Sequence, residues 1–252
     1  MEEKKIIIVE DETLVSNDIR ESLKNVGYKI VSIFNSGEEI LNSIEELDEL
    51  PDLILMDIRL KGKIDGIKAA KEIRKKYDIP IIFLTAFCDN DTLDRAKEAS
   101  PFGYIIKPYN EKELYATIEV ALYKHKADKI LKEREEWINA ILKSIGDALI
   151  ATDSKGHILF MNEMAEKLTG WKAEEVKGKK MNSLFKILED DENSTISSFD
   201  SFSSINISEN LILVARNGEK IKIRENATPI KDEKGNIKGI VVVFYNREMA
   251  KV

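Results

Sequence analysis

DLILMDIRL, residues 52–60, carries four consecutive apolar residues, Leu53 to Met56, straight into the carboxylate of Asp57. A strand with one wet face alternates apolar and polar residues. An unbroken apolar run instead needs cover on both faces, which helices packed on either side of a parallel sheet supply. Outward from this stretch the pattern recurs in runs 5–9, 29–34, 80–84 and 104–106, all rich in Ile, Val and Leu. Between the runs lie helix-length stretches with i, i+3, i+4 apolar spacing, such as 64–76. Ser36 with Glu39, and Asn110 with Glu113, have the spacing of capping boxes at helix N-termini. Five β-α units predict an α/β fold, a parallel sheet wound on both sides.

The 252 residues are enough for two domains. No apolar run reaches the roughly 18–20 residues of a membrane span, and residues 6–9 are too short a stretch for a secretory signal core, so the expected location is the cytoplasm. The single Cys88 rules out an internal disulfide framework and fits a reducing compartment. Residues 1–125 have a net charge of −7 while 126–252 are neutral. An acidic first half argues against nucleic acid as a partner.

From Asn110 to Ile145 there is neither Gly nor Pro. A helix through those residues would be about 54 Å long. Leu131, Ile138, Leu142 and Ile145 follow a 7-4-3 spacing with Ile130, Trp137 and Ile141 alongside. That suits either a helical seam between two chains or a solvated connector whose last turns pack on the second domain. After Gly146, strand-like runs are expected at 148–152, 157–161, 211–215, 220–226 and 239–245, separated by turn signals, with helical stretches at 163–167 and 173–176. Residues 191–210 hold seven Ser and little periodicity, and read as a loop.

In a wound parallel sheet, ligands gather beyond the carboxyl ends of the strands. Here those ends carry Glu10 and Asp11, Asp57, Thr85 and Lys107. Crowded carboxylates repel, so either their pKa values rise or a cation sits among them. Oxygen donors at a phosphoryl-transfer site suit Mg²⁺. Asp57 is then the carboxylate nucleophile, Asp11 and Asp57 hold the metal directly, and Glu10 acts from further away. Lys107 offsets charge on phosphoryl oxygens and Thr85 donates a hydrogen bond to one. Singly, an acidic pair or a Thr at a strand end is ordinary surface or turn chemistry. It is five such residues in register, at four strand ends, that carry the reading.

KIIIVEDE (5–12), DLILMDIRL (52–60), IPIIFLTAF (79–87) and FGYIIKPY (102–109) resemble the receiver domains of response regulators, the CheY-like (flavodoxin-like) fold. The resemblance covers about residues 4–124. It implies strand order 2-1-3-4-5, a five-stranded parallel sheet, the backbone carbonyl of Arg59 as a further metal ligand, and Tyr104 as an aromatic switch that follows Thr85. It also implies a cis peptide at Lys107–Pro108. The loop Lys61-Gly-Lys-Ile-Asp-Gly is one residue longer than the family's usual form and lacks its Pro.

GDALIATDSKGHILFMNEMAEKLTGW (146–171) and RNGEKIKIRENATPIKDEKGNIKGIVVVFYN (216–246) resemble a PAS domain, an α+β fold on an antiparallel sheet. Its ligand, if it has one, is not named by these residues. A reactive flavin-type Cys is absent from this half, and His157 reads as a strand or turn residue rather than a haem ligand. The Ser-rich stretch falls where such domains carry a pocket helix, which favours an interaction module. The expected organisation is a receiver at 1–124, a helical connector at 125–145 and a PAS domain at 146–248. The resemblance implies a response regulator phosphorylated on Asp57 by a partner histidine kinase or phosphotransfer protein. It would form a homodimer through the connector or the PAS domain and insert in no membrane. No ATP-binding kinase domain fits in the sequence, so its only chemistry would be on its own phosphoryl group. A PAS-centred sensor whose receiver merely docks partners is the alternative. A phosphatase of the haloacid-dehalogenase type would need Asp-x-Asp at the first strand, where Glu10-Asp11-Glu12 stands.

Overall fold

Ile6, Ile7, Ile8 and Val9 of β1 (Lys5–Val9) are each fully buried, which a strand permits only when both of its faces are covered. The computed structural model describes residues 3–86, 90–189 and 206–246. The chain divides into two units, 1–133 and 134–252.

In the first unit β1, β2 (Lys29–Phe34), β3 (Leu53–Asp57), β4 (Ile81–Ala86) and β5 (Gly103–Lys107) form one parallel sheet in the order β2-β1-β3-β4-β5. Successive side chains alternate between the faces. Ile7, Ile54, Met56 and Phe83 pack with α2 (Gly37–Ser43) and α3 (Gly66–Lys76) on one face. Ile6, Ile8, Leu55 and Ile82 pack with α1 (Thr13–Asn25) and α5 (Glu111–Ser144) on the other. Each such aliphatic side chain taken fully out of water contributes about 1.5–3 kcal/mol. The helix α4 (Asn90–Glu98) lies between β4 and β5 in the chain. Both expected caps are present: the side chain of Ser36 accepts from the Glu39 amide at 3.2 Å and that of Asn110 from the Glu113 amide at 2.9 Å. Glu39, however, accepts from Asn35 N rather than from the cap residue itself. Three strands also run further than the apolar runs alone suggest, so that Asp57, Thr85 and Lys107 lie within the last residues of β3, β4 and β5.

The helix α5 is unbroken across 34 residues and links the two units. Its first turns bury Leu114, Ile118 and Ala121. Further along, Leu131, Trp137 and Ile138 are exposed, while Leu142 and Ile145 are partly buried.

The second unit holds a six-stranded antiparallel sheet in the order β7-β6-β11-β10-β9-β8. Its strands are β6 (Ala148–Asp153), β7 (Ile158–Met161), β8 (Lys186–Glu189), β9 (Asn206–Val214), β10 (Lys220–Lys231) and β11 (Ile237–Asn246). The helices α6 (Glu163–Thr169), α7 (Ala173–Val176) and α8 (Met181–Leu184) come between β7 and β8 in the chain. Ala165, Val176 and Met181 from these helices join the strand residues Ile150, Leu213 and Phe244 in one core. Two of the hairpin turns share a device. Asp153 accepts from the amides of Lys155 and His157, and Asp232 from those of Lys234 and Asn236.

Two expectations change here. Residues 206–210, read as part of a loop, open strand β9, while 191–205 lie outside the described residues, as does the reading of a weakened pocket helix there. Strand β8 has no counterpart in the sequence reading, because four residues with a charge at each end give no periodic signal. His157, read as a strand or turn residue, forms an isolated bridge with Lys180 just before β7, with Nδ1 2.9 Å from Asp153 Oδ2. Among the described residues no helix is long and apolar enough to cross a membrane.

Candidate functional site

The carboxyl edge of the first sheet is where charge collects. Glu10 and Asp11 follow the last residue of β1, and Asp57 closes β3, the neighbouring central strand. The two strands pair in parallel, Val9 beside Met56, so the acids following each are brought to one edge. One carboxylate oxygen from each of Glu10, Asp11 and Asp57 lies within 4.8 Å of the others. Glu10 is fully buried, Asp57 is 7% exposed, and Asp11 is the most open of the three.

Lys107, the last residue of β5, reaches back across the edge. Its Nζ is 2.6 Å from Glu10 Oε2 and 2.5 Å from Asp57 Oδ2. Burial works against the ammonium, but the hydrogen bonds to Asp57 and Glu10 hold its pKa above the ordinary lysine value. Burial raises Glu10 to about 7, and the hydrogen bond from Lys107 only partly offsets that. Thr85, 5% exposed, stands at the end of β4. The peptide Lys107–Pro108 is cis. Tyr104, three residues before Lys107, is partly buried with its ring 6.0 Å from that of Phe83. The structure thus gathers Glu10, Asp11, Asp57 and Lys107 into direct contact or close approach and sets Thr85 and Tyr104 on the adjoining strands.

The backbone after β3 is shaped around Asp57. Arg59 N donates to Asp57 Oδ1 at 2.8 Å. Gly66 N donates to Ile58 O, and a Cβ on Gly66 would lie 1.9 Å from the carbonyl oxygen of Asp57, so only glycine lets α3 start this close. Asp65 caps α3 by accepting from Lys68 N at 2.8 Å.

Two residues at this edge escaped the sequence reading. Lys61 places Nζ 2.8 Å from Asp11 Oδ2. Glu38 of α2 accepts from the amides of Lys63 and Ile64. The missing Pro and extra residue in the loop were the visible signal, but they name neither contact.

The donor set suits a hard divalent cation. Among the described residues, three carboxylates at one edge are met by the ammonium groups of Lys107 and Lys61, and hard oxygen donors are what Mg²⁺ takes. In the second unit Glu225 of β10 is a buried carboxylate, 2% exposed, on the inner side of the sheet with Ile223.

Residues 6–119 match the family model described as the response regulator receiver domain, and 137–246 match that of the PAS fold. The transcriptional regulatory protein PdtaR of Mycobacterium tuberculosis is 40% identical over 121 residues, 47% of this chain and 57% of its own length. The probable transcriptional regulator ycf27 of Porphyridium aerugineum is 31% identical over 170 residues, 68% of this chain and 67% of its own length. A crystal structure of the signal receiver domain of a modulated diguanylate cyclase from Desulfovibrio desulfuricans G20 is 36% identical, covering 50% of this chain and 99% of that one, with a TM-score of 0.48. The chain therefore spans a little over half of one of these curated relatives and two thirds of the other.

Proposed function

For a chain that belongs to the response regulator family, with a receiver domain followed by a PAS domain, we propose that Asp57 accepts a phosphoryl group from a partner histidine kinase or phosphotransfer protein. The observation that carries this is the Asp57 carboxylate itself. It is nearly buried at the end of a central strand, held by Lys107 at 2.5 Å and flanked by two further acids.

One Asp57 oxygen attacks phosphorus, the bond from phosphorus to the donor imidazole nitrogen breaks, and that nitrogen keeps the electron pair. No proton need leave Asp57, because a carboxylate is already a competent nucleophile. Asp11, Asp57 and the Arg59 carbonyl would hold Mg²⁺, with Glu10 behind them, and the ion would supply charge compensation at the phosphoryl oxygens. Lys107 supplies the fixed positive charge of the chain itself, and its two carboxylate partners hold it in position before the donor arrives. Thr85, near the end of β4, would donate to a phosphoryl oxygen. The change from one negative charge to nearly two is the signal.

Thr85 engaging the phosphoryl group and Tyr104 repacking beside it would alter the surface formed by α4, β5 and α5. Because α5 continues unbroken to Ser144, it offers a route to the PAS domain, which acts as the sensor or interaction module, and the exposed apolar residues along it suit pairing with a second copy of the chain. The protein would work in the cytoplasm as one member of a phosphorelay.

The test is intact-protein mass after incubation with Mg²⁺ and a small phosphoryl donor, for wild type and Asp57→Asn. A single acid-stable, base-labile adduct in the wild type and none in the variant is expected. An adduct retained in Asp57→Asn would remove Asp57 from the role.

A further inference from the structure

The loop between β3 and α3 is held from outside itself. Glu38, on the first turn of α2, accepts through Oε1 from Lys63 N at 2.6 Å and Ile64 N at 3.1 Å. Gly62, at φ +124, lies against the same carboxylate, and a Cβ there would come within 2.6 Å of Oε2. These contacts fix the backbone immediately after Lys61. From that anchored position the Lys61 side chain, largely exposed, returns to the strand ends and rests its ammonium 2.8 Å from Asp11 Oδ2. The Asp11 side chain is 11% exposed with this ammonium against it.

We propose that Lys61 is a tethered counter-ion of Asp11 that competes with the divalent cation, so that the metal enters only as this ammonium swings away. This rests on the proposed metal site at Asp11 and Asp57. A divalent ion drawn to Asp11 would meet the Lys61 ammonium already against that carboxylate, and the two positive charges repel at such short range. The lysine stem is flexible and its head is exposed, so withdrawal costs little and the device tunes affinity without blocking the site. Lys107 differs from Lys61 in being largely buried and in bridging two carboxylates, Glu10 and Asp57, rather than resting on Asp11. The longer loop without its Pro is the part of the sequence that makes the contact available, since Glu38 takes over the task of fixing the loop.

The experiment is calorimetric titration of the full chain with MgCl₂, without phosphoryl donor, for wild type, Lys61→Met and Lys63→Met. Lys63 has the same charge on the same loop, but its amide, not its side chain, makes the anchoring bond. At about 0.15 M salt, fields beyond roughly 8 Å are largely screened, so a contact effect separates from a general one. Removing this exposed ion-pair partner predicts Mg²⁺ binding about three- to fivefold tighter in Lys61→Met. Lys63→Met is expected to bind as the wild type does. Equal affinity in wild type and Lys61→Met would overturn the tether while leaving the metal site standing. Equal tightening in both variants would overturn it too, by assigning the effect to net charge. No Mg²⁺ binding in any of the three would overturn the metal site, and this inference with it.

Discussion

Gly66→Ala sets two effects against each other, and the structure decides the sign. At a helix start the substitution gains up to about 1 kcal/mol of intrinsic helical preference. Against that, the new Cβ would lie 1.9 Å from Asp57 O, 2.9 Å from Asp57 C and 3.1 Å from Met56 Cγ. Ordinary separation is about 3.5 Å, so the first turn of α3 or the end of β3 must move by more than an ångström. Neither end is free. α3 is seated by Ile67, Ala69, Ala70 and Ile73, all 1% exposed or less, and β3 is buried along its whole length. Forcing extra volume into such packing costs about 1–3 kcal/mol, and stretching the bond from Gly66 N to Ile58 O costs about 1 kcal/mol more. The net expectation is a loss of about 2 kcal/mol from the first unit, or a fall of about 1 M in its urea midpoint. Far-UV circular dichroism follows the transition, while the fluorescence of Trp137 and Trp171, both in the second unit, serves as an internal reference. Acceptance of the phosphoryl group should slow as well, since Asp57 is the residue displaced. A variant with an equal or higher midpoint would refute the reasoning, because helical preference alone predicts that result.

Three further outcomes are expected. In metal-free protein, Glu10 binds its proton more tightly folded than unfolded, about 7 against an ordinary 4.5, so its contribution is complete below 4.5 and is lost as the pH rises through about 7. Wild type should therefore lose about 1–3 kcal/mol relative to Glu10→Gln across that window in urea titrations with chelator present, and parallel curves would contradict it. Asn162, 1% exposed, caps α6 through Ala165 N, accepts from Leu149 N and donates to Asp147 O, each at 2.9 Å. Asn162→Ala should cost the second unit about 2–4 kcal/mol, read by Trp171 fluorescence on heating, and a loss below about 1 kcal/mol would mean that water replaces the amide. Lys107→Met should lower the stability of the metal-free first unit by about 2–3 kcal/mol through two buried carboxylates left without their cation, and added Mg²⁺ should restore most of it. Failure of Mg²⁺ to do so would mean that the acids are not held by a shared positive charge.

Much of this protein was legible along the chain because the deciding signals are local. Unbroken runs such as 53–56 announce strands covered on both faces, and the caps Ser36 and Asn110 bond to amides three residues away. A parallel sheet then brings the ends of such strands to one edge, so Glu10, Asp11, Asp57, Thr85 and Lys107 could be grouped from the residues alone. The sequence was silent where partners are distant and the segment is short or exposed. Strand β8 exists by pairing with β9 across the intervening chain, and Lys61 meets Asp11 only because Glu38, from another helix, shapes the loop between them. The sharpest case is Glu10 beside Asp11. They are neighbours with the same charge and nearly the same chemistry, and nothing in the sequence says which is buried. Tertiary packing buries Glu10 fully and lifts its carboxyl to about 7, while Asp11 is left open enough to meet an exposed lysine. The physical reason is that the depth of cover over each side chain is a property of the folded layers and not of the local sequence.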